Sequence, residues 1–224
     1  MFNIKKASLS VRLTLLIVSA LLGMAALAAV FLFTEHQLIL DERRSSVQQS
    51  VETATGIAAH FETLERQGGL SREQAQQQAK AAIKSLRYGE GDYFWVQDLQ
   101  GQMLMHPIQP KLDGKNMSGN RDPDGKLFFQ EMVDVAKRQG AGFVSYQWPK
   151  PGSDSPQPKI SYVKSLPGWG WIIGSGVYVD SVNATLAQRA AGMAAGGVVL
   201  MAAVLALGLL IARSILRQLG GEPN

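Results

Sequence analysis

All four Trp and all five Tyr of the chain lie between Tyr88 and Tyr178. Tyr and Trp combine an apolar body with a hydrogen-bonding tip, which suits a small cavity holding a ligand by few polar anchors. Side chains alternate across a strand, so Tyr93 shares a face with Trp95, and Tyr146 shares a face with Trp148. His106, just before Pro107, could donate to an anion, and Tyr162 offers a further hydroxyl by strand position. Lys111 and Lys115, in a Gly-bearing loop, could close over a carboxylate, with Arg87 as a reserve cation. The plain alternatives are core packing for the aromatics, a satisfied structural role for His106 and solvated surface for the cations. Trp169 and Trp171 read as core.

Other chemistries have less support. Asn120, Asp122, Asp124, Gly125 and Glu131 fall at positions 1, 3, 5, 6 and 12 of a calcium loop. Position 1 is Asn, Pro123 interrupts the loop, and residues 115–119 make no entering helix, so the segment reads as a turn before a helix. No metal site and no cofactor is expected. There is no Ser-His-Asp-type set, no HExxH and no phosphate-cradling Gly loop, and Gly174-Ser175-Gly176 lacks nucleophile-elbow spacing. The expectation is a protein that is not an enzyme. Absence of Cys excludes disulfide and thiol chemistry.

The elements that must position these residues sit between two apolar runs, 13–33 and 190–212, neither of which contains a charge. Each reaches the roughly 20 residues that a helix needs to cross a bilayer. Residues 1–12 and 213–224 carry five basic residues and one acidic residue, a net +4 that equals the net charge of the whole chain. Excess Lys and Arg beside a span marks the cytoplasmic side. Both termini are therefore expected inside, with 34–189 outside as a folded domain. A cleaved signal peptide is the alternative for the first run, but the apolar stretch continues through Val30 to Phe33. The basic balance reports topology and suggests no nucleic-acid surface.

Leu40, Val47, Val51, Ala54, Ala58 and Phe61 make a heptad-like stripe on a helix that continues out of the first span and ends at Gly68-Gly69. The stripe suits packing on the chain's own domain, a dimer seam, or both. Ser71 with Gln74 reads as a capping box for a second helix to about Leu86. Strands are expected at 93–96, 102–106, 143–148, 160–165 and 169–178, with a helix at 127–139. Asp180 is placed to cap a helix running into the second span, where Gly192 and Gly196 fit small-xxx-small packing. The fold class is α+β: a long N-terminal helix against a five-stranded antiparallel sheet. The first two strands should pair on one side, and the last strand should sit centrally.

The order Arg87-Tyr88-Gly89, Asp92-Tyr93-Phe94-Trp95-Val96, residues 103–107, Gly142-Phe143-Val144, Tyr146-Gln147-Trp148, residues 159–164 and Trp169 to Tyr178 resembles a bacterial single-Cache sensor domain. The resemblance covers about 47–182. Residues 213–223 resemble the start of a HAMP linker of methyl-accepting chemotaxis proteins, with Gln218 where Pro is usual. The resemblance implies a PAS-like sheet and a homodimeric inner-membrane chemoreceptor, with a cytoplasmic signalling region following Asn224. It implies a periplasmic site for a carboxylate of two to four carbons, for which Tyr93, His106, Tyr146 and Tyr162 would be donors. Trp95 and Trp148 would wall the alkyl part, and Lys111 would add charge. The sensor of a receptor histidine kinase, that of a cyclic-dinucleotide enzyme, and an extracytoplasmic protein-interaction module are the competing readings.

Overall fold

The computed structural model describes residues 9–218 except Glu90. It contains two compact units, one of residues 39–181 and one of the terminal segments on either side. In the terminal unit, two helical stretches are long and apolar enough to cross a membrane. The Arg189 guanidinium there meets the Glu35 carboxylate. The segment expected to open a HAMP linker lies outside the described residues from Leu219 onward.

Helix α1 spans Leu9–Arg66. Its stripe packs on the chain's own sheet: Val47, Val51, Ala54 and Ala58 are fully buried among Phe94, Val96, Ile173 and Val177. The two alanines let the helix approach the sheet closely. Gly68, at φ 75°, ends the helix where a side chain would be strained. Helix α2 (Arg72–Ser85) opens on the capping box: the Gln74 N–H donates to Ser71 Oγ at 3.2 Å, and the Ser71 N–H donates to Gln74 Oε1 at 3.0 Å. It buries Ala75, Ala79 and Ile83 against the same core.

The sheet comprises β1 (Arg87–Tyr88), β2 (Asp92–Asp98), β3 (Met103–Met105), β4 (Ala141–Pro149), β5 (Pro156–Leu166) and β6 (Trp171–Tyr178). Its order is β1-β2-β6-β5-β4, with β3 also on β2, and every pairing is antiparallel. The expected hairpin β2–β3 lies at one side and the last strand sits centrally. Six strands replace the expected five because Arg87 pairs with Tyr93 to add the two-residue β1. The last strand starts at Trp171, since Gly170, at φ 65°, closes a turn on the Pro167 carbonyl. Helix α3 (Phe128–Gln139) covers the second face with Phe128, Phe129, Met132, Val133, Val135 and Ala136. Helix α4 (Asp180–Gln218) follows β6 after one residue, Val179.

Candidate functional site

Strand alternation and register bring one set of side chains onto the α3 face of the sheet. Lys159 of β5 stands between Tyr146 of β4 and Tyr178 of β6, its cross-strand partners. Lys159 is 1% exposed. Its ammonium donates to the Tyr93 hydroxyl at 3.1 Å and reaches the Tyr178 hydroxyl at 3.5 Å. It lies 4.3 Å from the Tyr93 ring centre, 4.7 Å from that of Tyr178 and 5.7 Å from that of Trp95. Among the described residues no carboxylate pairs with it. A buried cation is costly unless an anion or several acceptors compensate it. Two phenols and three ring faces are all that the described residues supply here, an arrangement that favours an incoming anion.

Two glycines make the room. A Cβ at Gly176 would collide with Ser161 Oγ and come within 2.9 Å of Lys159 Cε. A Cβ at Gly174 would run into the Trp95 ring, 2.6 Å from its Cε2. Ser175 between them faces the other side, donating to the Tyr93 carbonyl at 2.6 Å and meeting the Tyr88 hydroxyl at 2.7 Å. The Gly174-Ser175-Gly176 run is therefore a packing device on the central strand.

The surrounding polar groups are neutral. Burial, and then the Lys159 charge, push the His106 imidazole down to about 3. His106 Nδ1 accepts from the Gln109 N–H at 3.0 Å, which leaves the remaining ring proton on Nε2 as a donor. Burial raises the Tyr146 phenol, whose hydroxyl is 3.0 Å from Ser161 Oγ. Its ring stacks flat on Phe128 at 4.4 Å. Trp148 packs edge-on against Phe128 and Phe129 and lies 6.2 Å from His106. His106 lies 5.1 Å from Tyr93. The Trp95 indole N–H donates to Gln97 Oε1 at 3.3 Å, which leaves the buried Gln97 Nε2 without a partner among the described residues.

Tyr93, Trp95, His106, Tyr146 and Trp148 thus come together, as their strand positions suggested. Tyr162 does not join them. It belongs to the opposite core, with Phe143 at 4.8 Å, because even-numbered residues of β5 face α1 and α2. Lys111 is exposed in a 3-10 turn at Pro110–Leu112. Arg87 is exposed and donates to the Lys84 and Leu86 carbonyls. The sequence reading missed Lys159, Ser161 and Tyr178. One signal was available: Lys159 opens the otherwise uncharged run Ile160-Ser161-Tyr162-Val163 at the parity opposite to Tyr162.

Two neighbouring features complete the picture. A cleft of about 300 Å³, bounded by Arg43, Asp92, Lys150, Val177 and Tyr178, lies beside Tyr178. At the calcium-like segment, Asp122 Oδ1 accepts from the Asp124 and Lys126 N–H groups at 3.0 and 2.9 Å. Its Oδ2 accepts from the Gln147 N–H at 3.2 Å, and Glu131 pairs with Lys126 at 2.9 Å. These carboxylates tie the turn to β4.

Known proteins resemble this chain over much of its length. A methyl-accepting chemotaxis protein, McpP of Pseudomonas putida, is 44% identical over 221 residues, 98% of this chain and 40% of McpP. A sensor histidine kinase, MctS of Rhizobium johnstonii, is 40% identical over 135 residues, 60% of this chain and 29% of MctS. The chain therefore spans less than half the length of these relatives. A Cache chemosensory domain, solved to explain carboxylic acid recognition, is 49% identical with a TM-score of 0.62. That match covers 65% of this chain and 99% of the solved domain. Residues 39–191, which contain every strand and the Lys159 cluster, match the family described as Single Cache domain 2, and the chain belongs to that family.

Proposed function

We propose that this chain is the sensing region of an inner-membrane chemoreceptor whose periplasmic domain binds a small organic acid of two to four carbons. The observation that carries this reading is Lys159, a fully buried ammonium without a carboxylate partner among the described residues. The ligand's carboxylate would accept from Lys159, from the Tyr93 hydroxyl and from His106 Nε2. Charge-assisted hydrogen bonds of this kind offset the desolvation of both ions. Trp95, Trp148 and Phe128 would wall the short alkyl part. The 49% identical Cache domain that recognises carboxylic acids supports this class of ligand.

The basic flanks of the two apolar helices support a topology with both termini cytoplasmic. On this reading the receptor is a homodimer and passes its signal through α4 to a cytoplasmic region beyond a HAMP linker. The match to a sensor histidine kinase supports a second output for the same kind of sensor. A purely structural or protein-interaction module would have no use for the buried cation.

The test is calorimetric titration of the full chain in lipid nanodiscs with acetate, propionate, pyruvate, lactate and malate, repeated with Lys159→Met. A lost hydrogen bond to a charged group is worth about 1.5–3 kcal/mol, so the variant should bind at least one acid about ten- to a hundredfold more weakly. If no acid binds, or if the variant binds as well as the parent, the reading is wrong.

A further inference from the structure

Tyr178, the last residue of β6, touches two charged groups at once. On its inner side stands the Lys159 ammonium, 3.5 Å from the hydroxyl and 4.7 Å from the ring centre. The Lys150 ammonium lies 5.4 Å from the centre of the same ring. The Tyr178 hydroxyl donates to the Pro149 carbonyl at 2.7 Å, which anchors it beside Lys150. Lys150 in turn pairs with Asp180 at 2.8 Å, and Asp180 is the first residue of α4. A single ring therefore stands between the buried cation and the ion pair at the start of α4. The cleft of about 300 Å³ beside Tyr178 gives that ring somewhere to go.

We propose that Tyr178 reports occupancy of the Lys159 site to the first turn of α4. The inference rests on the acid-binding reading. A carboxylate arriving at Lys159 competes for its ammonium with the two phenols. The 3.5 Å contact to Tyr178 is longer than the 3.1 Å bond to Tyr93 and is the first to yield. Tyr178 then loses its contact with the Lys159 ammonium. The Lys150 ammonium, shared between the ring and Asp180, redistributes toward the remaining partners. Binding biases α4 only as far as the acid distinguishes these arrangements.

The experiment is hydrogen–deuterium exchange at the backbone amides of 180–186, on the full chain in nanodiscs, with and without saturating propionate. The parent should change its exchange there on adding propionate. Tyr178→Phe, at propionate concentrations that saturate it, should show no such change. Lys150→Met lies outside the binding cluster and removes the cation linking the ring to Asp180. It should bind propionate like the parent and also show none. Lys159→Met should alter exchange at these amides with no acid present, since it removes the cation directly. The inference is overturned if Tyr178→Phe responds like the parent. It is equally overturned if Lys150→Met responds like the parent, or if Lys159→Met leaves the amides unchanged. Should propionate fail to bind the parent, the comparison is made with whichever of the five acids binds; should none bind, the acid-binding reading and this inference fall together.

Discussion

The two faces of the sheet are built by the same alternation and used for opposite ends. The face toward α1 and α2 is largely apolar and closely packed, with Val51, Ala54, Ala58, Phe94, Val96 and Ile173 at 3% exposure or less. Its buried hydroxyls, Ser175 and Thr55, are hydrogen-bonded. The face toward α3 buries Lys159, Gln97, Ser161 and His106 among its aromatics. Burying polar groups with incomplete partners opposes folding, so the second face gives up stability that the first must supply. The contrast separates residues that hold the domain together from residues that, on the proposed reading, bind the acid.

The sharpest way to break this comparison is a deletion in the folding face. Ile173→Ala should destabilise the domain by about 2–5 kcal/mol through lost burial and the cavity left behind. Acid affinity of the folded fraction should stay near that of the parent. Chemical denaturation paired with titration checks both halves, and a large affinity loss without loss of stability would erase the distinction.

Acid pH should act next most strongly, and on the face toward α3. The folded His106 holds its proton only below about 3, whereas an unfolded histidine takes one up near 6.5. The unfolded state thus binds more protons between those values. Stability should be constant above about pH 6.5 with respect to this group and fall as pH drops toward 3, by at most about 1.4 kcal/mol per unit. His106→Asn, which keeps an acceptor for the Gln109 N–H but does not titrate, should flatten that slope in denaturation curves taken across the range. A parent and variant with equal slopes would show that His106 is not the group responsible.

Gly176→Ala should have the smallest effect of the three and sharpen the comparison most finely. The added methyl meets Ser161 Oγ and crowds Lys159 Cε. The ammonium must shift, and acid affinity should fall about tenfold, the loss of roughly one hydrogen bond to a charged group. Calorimetry should register this while the α-helical circular dichroism signal stays unchanged. Undiminished affinity would mean that the glycine serves only the backbone.

Much of the fold was legible because its signals are local. The Ser71–Gln74 box, the stripe Val47, Val51, Ala54 and Ala58, and the alternation Tyr93, Trp95 and Tyr146, Trp148 each lie within one element. The site was legible only in part, because its logic crosses strands. Nothing local assigns Tyr162 to one face rather than the other. Its face is set by the register of β5 against β4 and β6. Lys159 was missed for a related reason. Lysine reads as surface by default, and only its cross-strand partners Tyr146 and Tyr178, at positions 146 and 178 of other strands, bury it. The space it occupies is provided by Gly176, a residue whose contribution is the atoms it lacks.

The single-residue passage from β6 to α4 has a bearing on how such a sensor can be reused. Only Val179 separates strand and helix in the chain. On the proposed reading, what would leave the domain along this route is the position and rotation of a helix, an output that depends little on side-chain identity further along. Such a sensor is suited to transplantation, because a graft onto another helix-driven protein need only preserve angular phase. Each residue inserted after Asp180 would turn everything downstream by about 100°. Inserting one or two residues should therefore shift the phase by about 100° and 200° and disturb the response, whereas a count of seven, close to two full turns, should restore the original behaviour.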